Sequence, residues 1–139
     1  MIHYLIEFRF QGKSKRDFKR LIYEVDRKFR LGSAKAKIPV PHITIVAPFS
    51  TSNQKRLVKD FKQVCENHPL IRFNISGFGS FDKTRVVYVN INPSQEMIKF
   101  REGLINRLKS YCTLKPTDMR SFFRIFKTIR DYHPHATIA

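Results

Sequence analysis

The chain has 139 residues, with 27 lysines and arginines against 11 aspartates and glutamates, which gives a formal net charge of +16. With 42% hydrophobic and 27% charged residues, this composition is typical of a folded domain with its own core and excludes a disordered chain. No apolar run approaches the roughly 20 residues that span a bilayer, and the excess positive charge favours a polyanionic partner such as RNA, DNA or an anionic membrane.

The opening stretch, MIHYLIEFRF, has no basic segment ahead of an apolar one and no small-residue cleavage site, so we expect no signal peptide. The only cysteines are Cys65 and Cys112, which do not suggest a disulfide framework. A reducing, cytoplasmic location is therefore expected. No linker-like or low-complexity segment interrupts the chain.

The periodicity of apolar residues predicts an α+β order of elements. Residues 2–10 alternate, which predicts a strand, and a helical stripe follows from Ser14, a plausible N-cap, to Gly32, a plausible stop. The elements predicted next are a strand over 42–47, a cap region ending at Asn53, a helix around 57–65, a strand over 71–75, a glycine-containing connection (GFGSFDK), a strand over 85–91, a helix opened by Pro93 and Ser94, and a loop over 113–121. Residues 122–130, FFRIFKTIR, fit a helix or a strand, and the last residues fit a strand.

One pattern, Pro-His-x-Thr-Ile, occurs twice, within PHITIVAPF and within HPHATIA. Because side chains alternate faces along a strand, His42 and Thr44 share one face, and His135 and Thr137 share one face of the second strand. A single copy would indicate an ordinary half-buried strand. Two copies in the same context are a more specific indication of a functional site than one copy.

The two pairs bring together a particular set of chemical groups. A free imidazole has a pKa of about 6.5, so near neutral pH one histidine can act as a base while another acts as an acid. The threonine hydroxyls can donate hydrogen bonds to the non-bridging oxygens of a phosphate. Such a set fits in-line displacement at phosphorus without a metal ion.

The motifs resemble those of the 2H phosphoesterase superfamily, in particular its 2′-5′ RNA ligase and cyclic phosphodiesterase-like members. The resemblance covers nearly the whole chain and extends over MIHYLIEFRF, PHITIVAPF, FNISGFGSFDKTRVVYVNI and RDYHPHATIA. It implies an α+β fold of two βα lobes, duplicated with pseudo-two-fold symmetry, with antiparallel sheets around a central cleft and helices outside.

The resemblance also implies a function. The expected reaction opens a 2′,3′-cyclic phosphate to a 2′-phosphate, or joins RNA ends reversibly through a 2′-5′ bond, with RNA or nucleotide cyclic phosphate ends as partners and with no cofactor. His42 and His135 would be catalytic. Thr44, Thr137 and Arg130, which stands five residues before the second motif histidine, would bind phosphate. Which histidine is the acid and which the base stays open.

Family members usually continue past the second motif, whereas this chain stops at Ala139. Either the sequence is a fragment, or the second motif strand is a natural C-terminus. In both cases we expect a single domain over residues 1–139.

Other groups in the sequence partly match metal or nucleotide sites. His133 and His135 have the spacing of two ligands on one strand face, Cys65 and His68 have C-x-x-H spacing, and Cys112 is a lone thiol. Zinc usually takes three or four ligands, and neither group has a matching second pair, so no metal site is predicted. The G-x-G of SGFGSF lacks the full dinucleotide fingerprint.

Two aromatic residues next to the motifs, Tyr132 and Phe49, are candidates for stacking on a base, with a core role favoured for Phe49. The alternative function is a non-catalytic RNA-binding module on the same fold. Binding to a membrane surface through the basic helix at 15–30 is disfavoured, because that helix carries Glu24 and Asp26 and an ordinary apolar stripe.

Overall fold

The computed structural model describes residues 2–32, 40–81, 86–113 and 132–139. Its strands are β1 (Ile2–Arg9), β2 (His42–Thr51), β3 (Phe73–Phe81), β4 (Val86–Pro93) and β5 (His135–Thr137). Its helices are α1 (Gly12–Phe29), α2 (Gln54–Glu66) and α3 (Gln95–Leu108). This part of the chain confirms the expected mixture of helices with antiparallel sheets. The ambiguous segment 122–130 lies outside the described residues.

The chain divides into two compact units, each built from three separate stretches of sequence. The first unit comprises Met1–Ile6, Ile45–Asn74 and Pro93–His133. The second unit comprises Glu7–Thr44, Ile75–Asn92 and Pro134–Ala139.

In the first unit, α2 packs against α3. Both helices begin as the sequence predicted, because Asn53 Oδ1 accepts a hydrogen bond from the Arg56 amide at 3.1 Å and Ser94 Oγ accepts one from the Met97 amide at 3.2 Å. The apolar stripes of α2 and α3 supply much of the core of this unit, including Leu57, Val64, Met97, Phe100, Leu104 and Leu108.

Strands pair in two sheets. β1 pairs with β2, and β3, β4 and β5 form a second sheet with β4 in the middle. β4 and β5 are antiparallel, in a register that sets Asn90 opposite His135 and Tyr88 opposite Thr137. The second motif is therefore held by β4, which corresponds to the strand predicted over 85–91.

Two predicted details of the first helix are wrong. α1 begins at Gly12 with Gln11 as its N-cap, so Ser14 lies inside the first turn and is not the cap. The helix ends at Phe29, because Arg30 takes the left-handed conformation (φ 51°) and its amide donates to the Asp26 carbonyl. The turn thus occurs two residues before Gly32.

Two strands are longer than predicted. GFGSF belongs to β3, which continues to Phe81, so the prediction of a connection there is wrong. β2 extends to Thr51 rather than ending near residue 47. The predicted apolar face of β1 is only partly buried, since the side chains of Ile2 and Phe8 are 59% and 43% exposed.

Candidate active site

The two Pro-His-x-Thr-Ile segments have the same pattern of burial. In each, the proline, the third residue and the isoleucine are buried, while the histidine and the threonine are half-buried. The third residues, Ile43 and Ala136, are both 0% exposed. The expected alternation along each strand is confirmed. All four polar side chains belong to the second unit.

Each motif proline also makes the same backbone contact. The carbonyl of Pro41 accepts a hydrogen bond from the amide of Phe10 at 3.2 Å, and the carbonyl of Pro134 accepts one from the amide of Ile91 at 3.2 Å. Proline has no N–H to donate, so its carbonyl is its one backbone group for pairing with a neighbouring chain segment. The backbone just before each histidine is therefore fixed in an equivalent way.

His42 is held through both of its ring nitrogens. Nδ1 lies 2.9 Å from the carbonyl oxygen of Val40, which can only accept a hydrogen bond, so Nδ1 carries the proton. In the neutral ring, the lone pair then lies on Nε2. Nε2 is 3.8 Å from Glu7 Oε2, and the His42 side chain is 35% exposed. The Glu7 carboxylate can therefore balance the charge when His42 takes up a proton.

Glu7 lies between His42 and Arg9. Its side chain is 14% exposed, and its other oxygen, Oε1, accepts a hydrogen bond from Nε of Arg9. The hydrogen bond from Arg9 is charge-assisted and therefore stronger than a neutral one, so it helps to hold the carboxylate in place. This contact fixes the negative charge beside the first motif histidine.

His135 has an aromatic surrounding instead. Its ring meets Phe81 edge to face at a centroid distance of 5.0 Å and lies 5.1 Å from the ring of Tyr88. Phe81 and Tyr88 also contact each other at 4.4 Å. The two rings come from β3 and β4, which form one sheet with the motif strand β5. The pairing of these strands therefore places the second motif histidine against both rings.

Gly79 makes room for that aromatic cluster. A Cβ built on Gly79 would lie 2.6 Å from two ring carbons of Tyr88 and 2.7 Å from its hydroxyl oxygen. The Tyr88 ring therefore covers the glycine across the two strands, an arrangement in which an aromatic side chain shields a strand glycine. This contact explains the second glycine of SGFGSF.

In the first unit, one buried arginine contacts the last residue of the first motif and a residue shortly before the second motif. Arg101 of α3 is 5% exposed, and its Nε–H donates to the carbonyl of Ile45 at 3.2 Å. Its guanidinium carbon lies 4.4 Å from the centre of the Tyr132 ring. Burial lowers the pKa of Arg101 and raises the pKa of Tyr132 to about 12. Ile45 follows Thr44 directly, and Tyr132 precedes the second motif.

The remaining predicted site residues are placed differently. Phe49 is 2% exposed and stacks on Tyr4 with a centroid distance of 5.9 Å, so its ring is part of the core of the first unit. Tyr132 is half-buried. Arg130 lies outside the described residues.

Within residues 2–32, 40–81, 86–113 and 132–139, no three histidine, cysteine, aspartate or glutamate side chains cluster as a metal site would require. Cys65 and Cys112 are free thiols, and burial raises the pKa of each. No helix in the described part of the chain is both long enough and apolar enough to cross a membrane.

Sequence reasoning missed four residues that hold the histidines or their flanks: Glu7, Val40, Tyr88 and Arg101. The sequence offered a partial indication for Glu7, since it is a charged residue between the apolar Ile6 and Phe8 of β1. Tyr88 looked like any strand aromatic, and Arg101 like any basic helix residue. Their contacts depend on pairing between elements distant in sequence.

The comparison with protein families identifies the chain. A model described as the 2′-5′ RNA ligase superfamily matches residues 18–139, which include both motifs. The chain belongs to this superfamily, and the resemblance inferred from the motifs is confirmed. Neither the comparison with curated proteins nor the comparison with solved structures gave a match.

Proposed function

We propose that the protein opens the 2′,3′-cyclic phosphate at an RNA end to a 2′-phosphate, and that it can also join RNA ends reversibly through a 2′-5′ bond. One observation carries this proposal: the two Pro-His-x-Thr-Ile segments share one burial pattern, and their His-x-Thr triplets belong to a single compact unit. Membership of a superfamily named for 2′-5′ RNA ligation supports it.

In the hydrolytic reaction, the oxygen of a water molecule attacks the phosphorus of the cyclic phosphate. One motif histidine takes the proton from that water, and the bond from phosphorus to the 3′-oxygen breaks. The other histidine gives a proton to the departing 3′-oxygen, so the 2′-phosphate remains. In ligation, a 5′-hydroxyl takes the place of water. This acid–base set requires no metal ion.

His42 suits proton transfer at Nε2. The hydrogen bond from Nδ1 to the Val40 carbonyl leaves the Nε2 lone pair available in the neutral ring. The carboxylate of Glu7 stabilises the cation once that nitrogen is protonated. Either histidine can start as the base, and the roles exchange when the reaction runs in reverse.

The threonine hydroxyls of Thr44 and Thr137 would donate to the non-bridging oxygens of the reacting phosphate, where negative charge builds in the transition state. Arg130 would add a cation there, and Tyr132 would stack on a base. The equivalent carbonyl contacts of the two motif prolines support a duplicated plan. The proposed reaction also requires both motifs to face one central cleft.

The test is incubation of the protein with RNA ending in a 2′,3′-cyclic phosphate, followed by identification of the product by mass spectrometry and ³¹P NMR. We expect a 2′-phosphate. His42→Ala and His135→Ala should each reduce turnover by at least about 10²-fold, the usual contribution of an acid or base. His68→Ala is the matched control, because His68 packs on Phe100 in the first unit.

Circular dichroism of each variant must show an unchanged fold. Full activity in either His42→Ala or His135→Ala would exclude the acid–base assignment. Salt-dependent RNA binding without any turnover would instead favour the alternative, a non-catalytic RNA-binding module that uses the +16 charge.

A further inference from the structure

A cavity of about 390 Å³ lies where the end of β1 meets the start of α1 and the residue that precedes the first motif proline. Its lining consists of Arg9, Phe10, Gln11, Gly12, Lys15 and Val40. All of these residues belong to the second unit, as do the His-x-Thr triplets of both motifs. Volumes from about 300 Å³ upward are typical of sites for small ligands or parts of larger ones.

The charge of the cavity is positive. Two of its lining side chains, Arg9 and Lys15, are cations, and none of the described lining residues is acidic, although Arg9 also pairs with Glu7 outside the lining. The first turn of α1 also carries no acidic residue. Phe10, which is 4% exposed, and Val40 add an apolar wall. Two cations beside an apolar wall suit a phosphate that is attached to a nucleoside.

The cavity is joined to His42 by two short connections. Val40 lines the cavity, and its carbonyl accepts the hydrogen bond from Nδ1 of His42. Arg9 lines the cavity as well, and it donates through Nε to Glu7, whose other carboxylate oxygen is 3.8 Å from Nε2 of His42. An arginine has further N–H donors on its two terminal nitrogens. A phosphate in the cavity would therefore lie close to the group that reacts at His42.

The structure of the proposed substrate indicates which of its phosphates could lie in the cavity. A 2′,3′-cyclic phosphate stands at the 3′ end of a strand, so the neighbouring phosphate of that strand is on the 5′ side of the terminal nucleoside. We propose that the cavity, hereafter the Arg9–Lys15 subsite, binds this 5′ phosphate. The assignment rests on the proposed function for the reacting phosphate and adds a substrate preference: a terminal nucleotide with a 5′ phosphate reacts better than one with a free 5′-hydroxyl.

Two small substrates test this preference. One is adenosine 2′,3′-cyclic phosphate with a 5′-phosphate, and the other is the same compound with a 5′-hydroxyl. For the wild-type protein, kcat/KM should be about tenfold or more higher for the first, as expected for a charge-assisted contact. In Lys15→Ala, the ratio of the two kcat/KM values should fall toward one.

Lys28→Ala is the matched control. It removes the same charge from the same helix, where Lys28 lies in the last turn. At 1.5 Å per residue, it is roughly 20 Å from Lys15, which is beyond the screening length of about 8 Å at physiological ionic strength. The preference for the 5′-phosphate should therefore persist in Lys28→Ala.

A direct binding measurement separates failure of the subsite from failure of the proposed function. Adenosine 5′-monophosphate should bind the wild-type protein about tenfold more tightly than adenosine does, and Lys15→Ala should lose most of that difference, whether or not any substrate turns over. The subsite would be overturned by equal affinity for the two compounds, or by an equal effect of Lys15→Ala and Lys28→Ala. Turnover of neither cyclic phosphate, with this binding intact, would overturn the proposed function alone.

Discussion

Replacing Gly79 with alanine tests how the second motif histidine is held. The added Cβ would lie 2.6 Å from two ring carbons of Tyr88 and 2.7 Å from its hydroxyl oxygen. The Tyr88 side chain cannot easily move aside, because it is 6% exposed and packs against Phe81 and His135. The whole aromatic cluster must therefore shift.

The size of the effect follows from these distances. Carbon atoms in contact lie about 3.5–4.0 Å apart, so the Tyr88 ring has to move by roughly 1 Å or more. Overpacking of this kind costs about 1–3 kcal/mol in the free energy of unfolding. For a chain of this length, at about 4 °C per kcal/mol, Gly79→Ala should lower Tm by about 4–12 °C. The value of kcat should fall as well, because His135 touches the displaced ring.

The assay is thermal unfolding followed by circular dichroism, with cyclic phosphate hydrolysis measured on the same samples. Gly103→Ala is the control. Gly103 lies inside α3, and a Cβ there would meet Val64 at an ordinary 3.5 Å. Alanine should stabilise that helix by about 0.5–1 kcal/mol, because glycine loses more backbone freedom on folding. The same substitution is thus expected to have opposite signs at the two positions.

A double variant tests whether the clash with Tyr88 causes the loss of stability. In Gly79→Ala combined with Tyr88→Leu, the smaller side chain relieves the clash, so the double variant should be more stable than the sum of the two single effects predicts. If Gly79→Ala unfolds at or above the wild-type Tm, Tyr88 does not lie against this glycine and the packing argument is refuted.

Three further substitutions probe the first unit. Arg101→Met removes the hydrogen-bond donor of the buried Ile45 carbonyl, so it should lower the free energy of unfolding in urea by about 1–3 kcal/mol. Lys99→Met, at an exposed position, should change this free energy by less than about 0.5 kcal/mol. Equal effects of the two substitutions would contradict the hydrogen bond. Burial raises the pKa of Tyr132 to about 12, above the value of about 10 in an unfolded chain. The protonated Tyr132 side chain therefore contributes fully to folding stability below pH 10, and this contribution is lost as the pH rises through 12. The wild type should lose more stability than Tyr132→Phe across that window, and parallel urea profiles would refute this. Ser94→Ala removes the N-cap bond of α3 and should lower stability by about 1 kcal/mol in a thermal melt; an unchanged Tm would show that the cap contributes nothing.

The sequence predicted those features that depend on a single helix or strand, such as burial patterns and helix caps. The alternation in both motif strands matches the observed burial, with the intervening residues Ile43 and Ala136 fully buried. The cap residues of α2 and α3 could be read from sequence because a side chain makes the capping bond. At α1 no side-chain cap forms at Gln11, so the nearby Ser14 was a false indication.

Contacts between elements could not be read in this way. SGFGSF looked like a connection because the reason for its second glycine, the ring of Tyr88, belongs to the next strand. The carboxylate beside His42 comes from another strand, β1. The proton on Nδ1 of His42 is fixed by a backbone carbonyl, and every residue has a carbonyl, so the sequence does not show which one makes this contact. The proposed chemistry of the two motifs comes from the sequence, whereas the groups that contact the histidines could not be predicted from it.

The short strand β5 pairs with an edge of β4 that could otherwise pair with another chain. In the described sheet it lies at the edge and covers β4, whose sequence VVYVNI is mostly apolar. Backbone pairing continues past the strand, since the amide of Val87 donates to the carbonyl of Ala139 at 2.7 Å. While β5 is undocked, one side of β4 presents unpaired backbone groups and apolar side chains, the combination that recruits other chains. Substitutions that loosen β5 should therefore cause aggregation as well as displace His135 from Phe81 and Tyr88.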